Sequence, residues 1–112
     1  MDKAESVLLR TGLKYGVIHR WFYPYPSGAY ETFYAQVEMH GIKVWCYILI
    51  WGSHEPDLYL CMEPEHLSAR VYTPRDTLKK KCFWYWENIE EGEIFNTDEE
   101  SIYMLALRSL CQ

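Results

Sequence analysis

Between residues 30 and 51 the residues sort, at the period of two of a β-strand, into two chemically different faces. A two-residue turn at His40-Gly41 folds this stretch into a hairpin. The expected pairs are Met39/Ile42, Glu38/Lys43, Val37/Val44, Gln36/Trp45, Ala35/Cys46, Tyr34/Tyr47 and Phe33/Ile48. A three-residue turn is the alternative, because histidine is tolerated rather than favoured at positive φ. One face then collects Phe33, Ala35, Val37, Met39, Ile42, Val44, Cys46, Ile48 and Ile50, and reads as core. The other collects Thr32, Tyr34, Gln36, Glu38, Lys43, Trp45, Tyr47, Leu49 and Trp51. That mixture of polar groups and large amphipathic rings is the chemistry of a binding surface. Glu38 opposite Lys43 favours this register, and a slip of one residue would mix the two faces.

Elsewhere the pattern predicts a short helix over 2–11 with Ala4, Val7 and Leu8 turned inward and Gly12 at its C-terminal end. Residues 13–23 alternate Leu13, Tyr15, Val17, His19, Trp21 and Tyr23, so they read as a strand in which Gly16 marks a bulge. Tyr23–Gly28 is a loop, since each proline disfavours the α region at the tyrosine before it. Short strands are expected at 58–62, 67–72 and 82–86, and Thr73-Pro74-Arg75-Asp76 begins a turn or one helical turn. Glu90-Glu91-Gly92 is a turn, with Glu93-Ile94-Phe95 beyond it. Thr97-Asp98-Glu99-Glu100 forms a capping box with Thr97 as N-cap, opening a C-terminal helix. That helix is apolar at every position from Ile102 to Leu107, so it is buried on most sides or also meets a second subunit. The predicted fold is α+β, a mostly antiparallel twisted sheet of about five or six strands with a short N-terminal helix and a packed C-terminal helix. Residues 1–112 form a single α+β domain in this reading, as the length of the chain implies.

Composition sharpens the functional side. Ten Tyr, five Trp and four Phe are more rings than one small core hides easily, which favours an exposed or interfacial set. The net charge of −5 weighs against non-specific binding to nucleic acid or an anionic membrane. Cys46, Cys61, Cys82 and Cys111 form no C-x-x-C pair and no zinc spacing, so they read as reduced thiols of a cytoplasmic protein. The N-terminus has no signal-peptide pattern, and the longest apolar run, Val44–Trp51, is too short for a membrane-spanning helix.

No motif for catalysis, metal or cofactor stands out. His54, Glu55, Asp57, Cys61, Glu63, Glu65 and His66 are ligand types without ligand spacing. Cys61 with His54 or His66 can be drawn as a nucleophile and base, but nothing frames the pair, so the reading leans against an enzyme and expects no cofactor and no metal. The expected function is a small intracellular protein-binding module, an inhibitor or modulator of a partner protein. Phage anti-defence proteins and immunity proteins are typically of this small, acidic, motif-free sort. Its anchors are Tyr34, Trp45, Tyr47 and Trp51, with Trp84 and Trp86 second. Two rivals remain. Lys79, Lys80 and Lys81 running into Phe83-Trp84-Tyr85-Trp86 could hold a single-stranded nucleic acid through phosphates and base stacking. A pocket between sheet and helices could take a small ligand or act as an enzyme. A homodimer through the last helix is compatible with each reading.

Overall fold

His40 and Gly41 both adopt positive φ, 45° and 82°, the backbone of a two-residue hairpin turn whose twist matches that of its strands. The computed structural model describes residues 3–21, 30–52, 54–62, 74–89 and 98–111. In it β3 (Tyr30–Met39) and β4 (Ile42–Trp51) pair antiparallel from Met39↔Ile42 to Tyr30↔Trp51, with every pair expected from the sequence in register. Around this hairpin lies one antiparallel sheet. β1 (Lys14–Tyr15) and β2 (His19–Trp21) both pair with β3, and the order continues through β4 and β5 (Asp57–Cys61) to β6 (Cys82–Trp86). With α1 (Lys3–Thr11), α2 (Pro74–Lys81) and α3 (Glu99–Leu110), the chain has the α+β fold its pattern predicts.

α1 and α3 cover the core face of the sheet. Ala4, Val7 and Leu8 stand three and four residues apart on α1, and Ile102 and Ala106 four apart on α3. All five join Ala35, Val37, Val44, Cys46, Ile48, Leu58 and Leu60 in one buried cluster. α1 stops where Gly12 takes φ +70°, and there the Thr11 hydroxyl donates to the Leu8 carbonyl at 2.6 Å.

The strand expected over 13–23 is two strands with one residue too many between them. Tyr15 pairs with Val37 and His19 with Tyr34, so four steps on the outer strands match three on β3. The Gly16 N–H still donates to the Gln36 carbonyl at 2.9 Å, while Val17 turns out to solvent. An extra residue reverses the side-chain alternation beyond it. Tyr15 therefore lies on the core face and His19 on the opposite one.

α2 is longer than the single turn expected and carries Lys79, Lys80 and Lys81 in its last turn. Its Leu78 is fully buried on the second face of the sheet with Tyr47, Leu49, Tyr59 and Cys61. This explains the unbroken apolar run of β4. A central strand covered on both sides has no wet face to alternate with.

α3 starts one residue later than the sequence suggests. Its N-cap is Asp98: Asp98 Oδ1 accepts from the Glu100 N–H at 3.0 Å, and Oδ2 from the Ser101 hydroxyl at 2.8 Å. The Ser101 bond, then the Glu100 bond, hold the exposed Asp98 carboxyl below its ordinary value. A depressed carboxylate stabilises the fold at pH values above its unfolded pKa, and that contribution is lost as pH falls through the folded one. The Tm advantage of the wild type over Asp98→Asn is therefore expected to be constant above about pH 5 and to shrink below about pH 4. Thermal unfolding from pH 3 to 7 checks this.

Several sequence expectations lie outside the described residues: the loop Tyr23–Gly28, the break at Glu63–His66, the strand at 67–72, the turn Glu90–Gly92 with the Glu93–Phe95 segment, and Thr97.

Asp57 is a fully buried acid at the start of β5. Its Oδ1 accepts from the Asn88 N–H at 2.8 Å and its Oδ2 from the Tyr59 hydroxyl at 3.4 Å. Asn88 has φ 53°, so the carboxylate pins a turn that would otherwise be strained, and the Ile89 N–H bonds the Pro56 carbonyl beside it. Asp57→Ala leaves both donors without this acceptor and is expected to cost about 2 kcal/mol in urea unfolding, with Asp57→Asn losing less.

Candidate functional site: an aromatic row across the sheet

Antiparallel register places His19, Tyr34, Tyr47, Tyr59 and Tyr85 side by side on five neighbouring strands. Residues directly opposite one another share a face, so the five rings make one row on the second face of the sheet. His19 stacks on Tyr34 with ring centroids 4.9 Å apart, Tyr34 on Tyr47 at 5.8 Å, and Tyr59 on Tyr85 at 6.0 Å. Trp45, one row nearer the hairpin turn, leans on Tyr34 at 5.8 Å and 52°.

The row changes character along its length. Tyr47 and Tyr59 are fully buried with Leu78, whereas Tyr34 and Trp45 are half-buried and His19 is exposed. At the far end Tyr85 is half-exposed, with Lys79 Nζ 5.8 Å from its ring centroid. The middle of the row is thus a packed base, and the β2–β3–β4 end is a ledge of rings resting on it.

Beside that ledge runs a row of alternating charge. Lys14, Glu38 and Lys43 occupy matching positions on β1, β3 and β4, and all three are exposed. With Tyr15, Gly16, Gln36 and Val37 they line an open depression of about 230 Å³. Gln36 pairs with Trp45 and joins the charged row to the rings. A half-buried aromatic centre with a polar rim is the anatomy of a protein interface.

The residues singled out from sequence do not form a single surface. Tyr34 and Trp45 lie together on the ledge. Tyr47 lies beneath it as support. Trp51 shares the face, but six residues along β4 from Trp45, a distance of about 20 Å at strand spacing. Buried Tyr47 and Leu49 stand between them, and Trp51 stacks on His54 at 4.7 Å instead. Trp84 and Trp86 pair with Leu60 and Leu58 and pack against the core on the opposite face, edge to face with each other at 5.7 Å. Lys79 is ion-paired to Glu87 and leans on Tyr85, while Lys80 and Lys81 are exposed on the helix that covers the aromatic face. The lysines and the two tryptophans therefore belong to opposite sides of the sheet.

His19 joins the ledge although the sequence reading placed it as a simple strand residue. The signal that could have found it is Gly16, because the bulge there is what turns His19 to the aromatic side.

Cysteine chemistry has a different setting. All four thiols are free. Burial pushes the Cys46 thiol up to about 12 and the Cys82 thiol up to about 11, so both stay protonated at neutral pH. Buried Cys61 pairs with Trp45, toward the other end of β4 from the Trp51–His54 stack, which separates it from His54, while His66 lies outside the described residues. Among the described residues no group of three or more His, Cys, Asp or Glu converges as a metal site. No helix among them is long and apolar enough to cross a membrane.

Comparison with known proteins supplies no family. Neither protein-family models nor curated proteins nor solved structures give a match.

Proposed function

We propose that this protein is an intracellular, cytoplasmic binding module that holds a partner protein on the ledge formed by His19, Tyr34 and Trp45 and thereby inhibits or modulates it. The observation that carries this reading is the stacked row itself. Its buried half, Tyr47 and Tyr59, fixes the strands from below, so the half-buried rings are presented with little freedom left to lose on binding. The charged rim Lys14–Glu38–Lys43 alternates in sign, which suits a protein surface better than a polyanion. Its place among small acidic inhibitors of the anti-defence or immunity type rests on size and charge.

The nucleic-acid alternative draws less support. Its stacking rings, Trp84 and Trp86, pack against the core face, and one of its three lysines is tied to Glu87.

Affinity capture from lysate of the natural host, with and without nuclease, tests the proposal. Wild type is expected to retain one protein in stoichiometric amount after nuclease, and a folded Tyr34→Ala/Trp45→Ala variant to lose it. Material that vanishes with nuclease, and is lost instead in Lys80→Glu/Lys81→Glu, would make the chain a nucleic-acid binder.

A further inference from the structure

Ile102 and Ala106 anchor α3 to the core, and at 100° per residue Met104 falls on the side of the helix facing away from the sheet. It is 48% exposed, and a single exposed apolar side chain is ordinary, so it is the charges flanking it that carry information. Glu100 and Arg108, both exposed, stand one turn before and one turn after it on the same stripe. With Asp98, Ser101 and Leu105 these residues line an open depression of about 430 Å³.

We propose that this stripe binds the same stripe of a second copy of the chain, with the two α3 helices antiparallel about a two-fold axis at Met104. The order acid, methionine, base is self-complementary under that operation. Glu100 of each copy meets Arg108 of the other, and the two Met104 side chains meet on the axis. A parallel pairing would set like charges together, so the charge pattern selects the orientation. The helix dipoles favour the same arrangement, since the N-terminal end of each helix lies beside the C-terminal end of the other. A two-fold interface uses the same patch on both subunits, as this one does. Methionine is suited to the centre, because its flexible thioether fits an irregular depression. One helix pair buries less than the roughly 800 Å² per partner of a standard interface, so the dimer is weak and concentration-dependent. α3 lies on the core side of the sheet and the ledge on the other, so the dimer would carry two outward-facing partner sites.

Sedimentation velocity over a wide concentration range tests this, with far-UV spectra confirming that each variant is folded. Wild type is expected to pass from monomer to dimer. Glu100→Arg or Arg108→Glu alone should weaken association about tenfold or more, because each change is made twice in the dimer. The two reversals combined in one chain restore opposite charges across the interface and should restore association. A second measurement does not depend on charge. In a Cys111→Ser background, Met104→Cys places a thiol on the axis and should give a disulfide-linked dimer under mild oxidation, whereas Leu110→Cys should not. A wild type monomeric at all concentrations, a charge swap no better than its parent variants, or equal cross-linking at both positions would overturn the proposal.

Discussion

Tyr47→Ala is expected to remove about 3–5 kcal/mol of stability, the usual cost of deleting a fully buried aromatic side chain. Tyr47 lies at the centre of the sheet. It pairs with Tyr34 on one side and Tyr59 on the other, and it is closed over in a cluster with Leu78. Deleting it removes apolar surface from the core and leaves a cavity beside Leu78, on strands whose backbone pairing holds them from closing on it. The loss is a large part of the roughly 5–15 kcal/mol that holds a typical domain together. Urea unfolding followed by tryptophan fluorescence measures it. A loss below about 1 kcal/mol would mean that Tyr47 is not the packed base of the row.

Trp45→Ala is expected to act on binding. Trp45 is half-buried, so its truncation costs a smaller share of stability than that of Tyr47. If it is an anchor of the partner interface, its loss should weaken the complex by about 2 kcal/mol or more, roughly thirtyfold in Kd. Tyr34→Ala should act in the same direction, and because the two rings touch, their effects should not add. Lys43→Glu, on the charged rim, should change mainly the association rate and its salt dependence. Titration calorimetry with the captured partner, beside urea curves for each variant, separates lost binding from lost folding. A thirtyfold loss that tracks destabilisation would count against the ledge as the site.

The hairpin was legible because three local signals agree there: residues that sort at a period of two into an apolar and a mixed face, a glycine at the turn and opposite charges at Glu38 and Lys43. α1 was legible for a similar reason, with three apolar residues at helical spacing and a glycine stop. The covering of the aromatic face was not. α2 reads Pro-Arg-Asp-Thr-Leu-Lys-Lys-Lys, and a single leucine, the buried Leu78, leaves no periodicity to detect. Gln36, Glu38 and Lys43 marked the face as wet, and they do lie toward the turn, while Tyr47 and Leu49 farther along are dry. The facing of Trp84 and Trp86 depends on the register between β6 and β5, which includes an irregularity at Leu60/Cys61 and has no local signature. The bulge at Gly16 was visible as a glycine in a strand, but its consequence, turning His19 to the aromatic side, follows only from the pairing with β3. α3 is apolar along its middle, yet only Ile102 and Ala106 of that stretch are buried, since a helix lying on a sheet buries one stripe whatever the rest of its surface carries.

If a partner protein sits on His19, Tyr34 and Trp45, the indole N–H signals of the protein report on it directly. The chain has five tryptophans, so a nitrogen-15 correlation spectrum carries five indole resonances, assignable by single substitutions. On titration with the captured partner, the Trp45 resonance is expected to shift or broaden, while those of Trp84 and Trp86 on the opposite face stay in place. A Trp45 signal that does not move while Trp84 or Trp86 responds would put the partner on the other side of the sheet and contradict the account.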